Sequence, residues 1–98
     1  MLTIEQGEGD LVVIAGRFDA AQAPVAQKFL DRLGGSITLD CSQLDYVSSS
    51  GLGVLLKTQK RLLSAGGRLR LVGANRHILD IFQFSGFDKI FEIVPAGQ

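Results

Sequence analysis

Glycine punctuates this chain so often that the segments it marks off have room for no more than a strand and a helix each. Gly7 and Gly9, Gly34-Gly35, Gly66-Gly67, Gly73 and Gly86 mark the cuts. The segments between them then read almost one by one. Leu2–Gln6 and Leu11–Ala15 are strand candidates, and Gly7-Glu8-Gly9-Asp10 between them is a hairpin loop. Leu11-Val12-Val13-Ile14 is a continuous, mostly β-branched apolar run, the pattern of a strand covered on both faces. Pro24 suits the first turn of a helix, where its missing N–H costs nothing. Ala26, Phe29, Leu30 and Leu33 follow at i, i+3, i+4, i+7, and Gly34 is placed to end that helix in a left-handed cap. Ser36–Asp40 alternates with period two and reads as a strand.

The second half repeats the logic. A helix is expected from about Gly51 to Ala65, with Leu52, Leu55, Leu56, Leu62 and Leu63 on its apolar side and Gly66-Gly67 terminating it. Arg68–Val72 alternates as a strand. Asn75 is a natural N-cap for a third helix carrying Ile78, Leu79 and Phe82, closed by Gly86, and Phe91–Val94 makes a last short strand. The order β-β-α-β-α-β-α-β implies βαβ units: a single α/β domain over residues 1–98 with a mixed, mostly parallel sheet.

Composition narrows the function. With 98 residues there is room for one small domain and one core. Ten Lys+Arg balance ten Asp+Glu, which argues against a nucleic-acid binder. No run of one charge sign suggests a polybasic anchor, no stretch approaches 18 apolar residues, and Met1-Leu2-Thr3-Ile4-Glu5 lacks the form of a secretory signal. These features fit a cytoplasmic protein without membrane insertion. One cysteine, Cys41, excludes an internal disulfide. One Cys and one His, His77, exclude a thiolate–imidazole zinc site. Cys41 reads as a small buried apolar residue. No cofactor is expected. The phenylalanines Phe82, Phe84, Phe87 and Phe91 cluster near the C-terminus, with core packing as the default.

The most unusual segment is Leu44-Asp45-Tyr46-Val47-Ser48-Ser49-Ser50-Gly51-Leu52-Gly53, between a strand and a helix at the carboxyl end of the sheet, where α/β folds place their sites. It is not a hydrolase elbow: Ser49 has Val47 where the first glycine belongs, and Ser50 has Ser48 and Leu52 in place of both glycines. It is not a dinucleotide fingerprint, since Leu56 stands at the third glycine position, and the chain has no P-loop. A nucleophilic serine would need a base, and His77 belongs to the first turn of the third helix, where a solvent-facing role is the plain reading. An enzyme is therefore not expected. Ser50 stands at or next to the N-cap of the second helix. Capping explains one serine. It does not explain three followed by Gly-x-Gly, because each glycine costs a helix about 1 kcal/mol. Bare backbone at Gly51 and Gly53 would let another macromolecule approach, and a helix N-terminus tolerates the charge of a phosphoserine.

Asp40-Cys41-Ser42-Gln43-Leu44-Asp45-Tyr46-Val47-Ser48-Ser49-Ser50-Gly51-Leu52-Gly53-Val54-Leu55-Leu56 resembles the signature of the STAS domain, shared by sulphate transporters and anti-sigma factor antagonists. Gly16-Arg17-Phe18-Asp19-Ala20-Ala21 resembles the family's loop after the second strand. The resemblance implies an anti-sigma factor antagonist. Its partners would be a serine kinase that is also the anti-sigma factor, and a phosphatase; the protein itself would be a monomer or weak dimer. Ser50 would be the phosphorylated residue, with Ser49 the second choice. Arg17, Asp19, Ser48, Ser49, Gly51, Leu52 and Gly53 would form the partner-binding surface. Asp19 is equally a turn former for the first helix, and Arg17 equally a solvated charge. The family most often has an acid two residues before the phosphorylated serine; here Ser48 stands there. That departure leans toward the alternative, a docking subunit of a lipid-transport ATPase assembly with no phosphorylation cycle.

Overall fold

A computed structural model describes residues 1–97. The elements run β1 (Leu2–Gln6), β2 (Leu11–Phe18), α1 (Ala23–Asp31), β3 (Ile37–Val47), α2 (Ser49–Ser64), β4 (Leu69–Ala74), α3 (Arg76–Phe84), a 3-10 turn at Phe87–Lys89, and β5 (Glu92–Pro95). The five strands form one sheet in chain order. β1 is antiparallel to β2, and β2, β3, β4 and β5 are successively parallel. This is the expected α/β order.

The buried strand residues share one face: Val12 and Ile14, Ile37 and Leu39, Leu69 and Leu71. The buried residues of all three helices, among them Ala26, Leu30, Leu55, Leu62, Ile78 and Phe82, join them in one cluster. So β2 is not covered on both faces as its apolar run suggested. Leu11 and Val13 are half-buried on the face without helices. The reason is topological: every crossover helix is laid on the same side of the sheet.

Local chemistry explains most boundaries. Gly9 takes φ +62° in the first hairpin, where Gly7 N–H donates to the Leu11 carbonyl at 2.8 Å. At the end of α2, Gly66 N–H donates to Leu63 and Gly67 N–H to Leu62, with Gly66 at φ +87°. This is the Schellman pattern, which needs a residue free of a Cβ. In α1 the left-handed residue is Gly35, not Gly34. The helix tightens first, because the Arg32 and Leu33 N–H groups donate to Phe29 and Leu30, three residues back.

The main departure is β3. The sequence pattern ends it at Asp40, but the strand continues to Val47. Val13 pairs with Asp40 and Ala15 with Gln43, then Gly16 with Leu44 and Arg17 with Tyr46, so β3 carries an extra residue at each step. Two bulges let one strand change phase. Beyond Asp40 the strand leaves β4 and follows β2 alone, which brings the start of α2 beside the end of β2.

The core tolerates two buried polar residues in α2, Thr58 and Gln59. Thr58 Oγ1 donates to the Val54 carbonyl. Gln59 Oε1 accepts from Leu69 N–H at 2.7 Å while its Nε2 donates to the Ile90 carbonyl at 2.9 Å, tying β4 to the C-terminal segment. Leu63, expected on the apolar side, is 54% exposed. Of the phenylalanines, Phe82, Phe87 and Phe91 stack in the core, but Phe84 points out and is 94% exposed.

Candidate functional site

One carbonyl ties the end of β2 to the residue that opens α2. Phe18 O accepts from Ser48 N–H at 2.9 Å and from Ser48 Oγ at 3.0 Å. Ser48 Oγ also accepts from Gly51 N–H at 3.1 Å, so Ser48 is the N-cap of α2. The expected cap at or next to Ser50 is thereby corrected. With three adjacent serines, the one that reaches Phe18 captures the helix end, and α2 begins at Ser49.

Ser49 and Ser50 are left as the first and second residues of α2, both exposed. No acidic residue occupies the first turn, so no side-chain charge there offsets the partial positive end of the helix. Gly51 is buried. A Cβ built there would lie 2.9 Å from Phe18 O, 3.0 Å from Phe18 Cγ and 3.1 Å from Val47 Cγ1. Packing alone therefore keeps Gly51 small. At Gly53 a Cβ would meet nothing within 4 Å. Leu52 packs half-buried against the core.

Asp19 directly follows Phe18 and so sits at the same edge. Its Oδ1 accepts from Gln22 N–H at 3.1 Å, and its carbonyl accepts from Gln22 and Ala23. It builds the turn into α1, whose cap position is Gln22. Arg17 belongs to β2 rather than to a loop. Its guanidinium lies 4.4 Å from the centroid of the Tyr46 ring, its register partner on β3. The sequence pattern did not single out Tyr46; the phase change of β3 is what delivers it there.

Between α1 and α2 a groove of about 450 Å³ opens beside Ser50. Ala23 and Gly53 lie along it, with Gln27 and Lys57 as polar groups. Lys57 lies seven residues after Ser50, two helical turns along the same face. That spacing is visible in the sequence. His77 is exposed at the start of α3. Cys41 is fully buried, and burial, reinforced by the Asp40 carboxylate, pushes its thiol up to about 12. It is a neutral packing group rather than a thiolate nucleophile. No cluster of metal-ligating side chains occurs among the described residues, and no helix is long and apolar enough to cross a membrane.

A mixed sheet wound in chain order, with helices on one face and a capped serine–glycine turn at its carboxyl edge, defines a domain class. The sequence matches the family described as Mlab, STAS domain, over residues 1–95, and the chain belongs to the STAS domain family. Among its relatives, the anti-sigma-B factor antagonist of Bacillus subtilis is 32% identical, over 97% of this chain and 91% of that protein. BtrV of Bordetella bronchiseptica is 33% identical, over 99% of this chain and 88% of its own length. The fold is also that of the Bacillus cell fate determinant SpoIIAA, solved in its phosphorylated form: TM-score 0.73, 22% identity, 100% of this chain and 93% of that one. Anti-sigma factor antagonists are regulatory binding proteins, and the docking-subunit alternative is not favoured.

Proposed function

We propose that this protein is an anti-sigma factor antagonist switched by phosphorylation of Ser50. Unmodified, it binds an anti-sigma factor that is also a serine kinase and so frees the sigma factor. Phosphate on Ser50 breaks the contact, and a phosphatase restores it. The observation that carries this reading is the division of labour at the start of α2. Ser48 takes the cap, which leaves the Ser50 hydroxyl exposed at a groove edge with no structural duty.

The docking surface comprises Ser49, Ser50, Leu52 and Gly53 at the start of α2, with Arg17 and Asp19 at the end of β2. Ser48 and Gly51 set its shape from beneath. A phosphoserine carries about −1.5 to −2 charges. The helix end stabilises such a charge by only about 0.3–1 kcal/mol. Like charges across an interface cost several kcal/mol, so the free, phosphorylated state wins. No refolding is needed.

The test uses a serine kinase encoded beside this gene as the candidate partner. Ser50→Ala should bind it constitutively and accept no phosphate. Ser50→Asp should bind more weakly, though less weakly than the phosphorylated protein, because aspartate carries less charge. The defect should grow at low salt. Intact-mass analysis with site mapping should place a single phosphate on Ser50. Equal binding by Ser50→Asp and Ser50→Ala, or a phosphate mapped to Ser49, would remove Ser50 as the switch.

A further inference from the structure

The side of α1 away from the Ser50 groove carries a second surface. A groove of about 640 Å³ runs between β1 and α1, lined by Ile4, Val25, Phe29, Lys28 and Arg32. Its floor is apolar and its rim is basic. Val25 is 55% exposed there. The Arg32 guanidinium lies 5.5 Å from the Phe29 ring centroid. The ion pairs among the described residues are Arg61–Asp31, Arg70–Glu92 and Arg76–Asp80, so Lys28 and Arg32 meet no carboxylate.

The groove lies along a free sheet edge. β1 is the terminal strand, paired only with β2. At its two ends Met1 O accepts from Arg17 N–H and Gly7 N–H donates to Leu11 O. In an antiparallel ladder the bonded residues alternate. Thr3 and Glu5 therefore bond inward, and the N–H and C=O groups of Leu2, Ile4 and Gln6 face outward. Ile4 thus offers its backbone to the edge and its side chain to the groove.

We infer that this edge and groove dock an extended segment of a protein partner, added as a sixth strand, with apolar residues on the groove and an acidic residue against Lys28 and Arg32. Backbone pairing supplies affinity in strand addition, and alternate side chains supply selectivity. Charge selects the occupant. Two copies of this chain paired edge to edge would bring their Lys28 and Arg32 rims together, while Glu5, next to Ile4 in the strand, points to the opposite face. An acidic partner meets no such conflict. This surface does not depend on Ser50.

The test titrates two end-blocked eight-residue peptides into the isotope-labelled protein, one of repeated Val-Thr-Glu-Thr and one of repeated Val-Thr-Lys-Thr, in which the valines and the charged residues share one face of an extended strand. Backbone amide shifts should appear at Leu2, Ile4, Gln6 and along α1 with the acidic peptide, and the basic peptide should bind at least about tenfold more weakly. The double variant Lys28→Glu/Arg32→Glu, changed only at exposed positions, should reverse that preference. Gln6→Pro removes an outward N–H without taking a bond from the β1–β2 ladder, and should weaken the acidic peptide several-fold. Equal binding of the two peptides overturns the inference, as does an absence of shifts at β1. So does sedimentation showing that the protein alone pairs through β1. Phosphatidylglycerol vesicles that broaden the same amides, undiminished by Gln6→Pro, would assign the groove to lipid instead.

Discussion

Two helices of this protein start in the same way and are used differently. α2 and α3 each follow a parallel strand, and each is capped by a side chain that accepts the N–H three residues on: Ser48 from Gly51 at 3.1 Å, Asn75 from Ile78 at 2.9 Å. At α3 the next residue, Arg76, turns back to Asp80 at 3.2 Å, and the following His77 is exposed. At α2 the cap is also a clasp, because Ser48 bonds Phe18 O through both its backbone and its hydroxyl. Gly51 is then pressed against Phe18 and Val47. The start of α2 is over-determined below and bare above. That arrangement holds an exposed hydroxyl in a fixed place without spending it on structure, and the start of α3 lacks it.

The largest expected effect would break the lower half of this arrangement. Gly51→Ala should destabilise the fold by about 2 kcal/mol, within the usual cost of overpacking, since its Cβ meets backbone as well as side chains. Chemical denaturation reads this directly. A loss below about 0.5 kcal/mol would show that Phe18 and Val47 give way freely. Next, the two caps should separate. Asn75→Ala should cost about 1 kcal/mol. Ser48→Ala should cost up to about 2 kcal/mol, because the buried Phe18 carbonyl also loses one of its two donors. Equal losses in parallel denaturation curves would reduce Ser48 to an ordinary cap.

Smaller effects sharpen the upper half. Gly53→Ala should stabilise the protein by about 0.5–1 kcal/mol, since a methyl group there meets open space and alanine is the better helix former. The same change should weaken partner binding, and calorimetric titration measures that second effect independently. Increased stability with unchanged affinity would mean that Gly53 is not part of the docking surface. Smallest of all, Ser50→Ala should leave stability within about 0.5 kcal/mol, as an exposed residue that caps nothing. A larger loss in denaturation would point to a structural duty for Ser50.

Much of this molecule is legible where residue chemistry acts locally. Asn75 caps α3, Gly66-Gly67 ends α2 and Pro24 falls in the first turn of α1 because each acts within a turn of itself. The unreadable parts depend on distant neighbours. Buried residues in β3 fall at Ile37, Leu39, Cys41, Leu44 and Val47, so the period slips from two to three, and no alternation rule follows it. Three serines in a row are equivalent until Phe18 O picks one. Gly51 and Gly53 look like one motif, yet only the first is fixed by packing. Leu63 and Phe84 fit apolar patterns but face outward, while Thr58 and Gln59 look like surface and are buried because their polar groups find backbone partners. At the site itself, the segment and its exposed serines were readable, but the assignment of duties among them was not.

The sheet lists its strands in the order in which the chain makes them, and this bears on how the domain assembles. Every strand finds its partner in the strand just before or just after it in sequence, so no early segment waits for a late one. Each parallel pairing still closes over a whole helix, as between Ile37 and its partner Leu69, and it is this step that sets the pace of folding. Growth can proceed by adding one strand–helix unit to the last, as in solenoids, whose cooperativity passes from neighbour to neighbour. A chain leaving the ribosome can complete β1, β2, α1 and β3 before β5 exists. The last-made edge, β5 against β4, is then the natural place for the folded domain to fray.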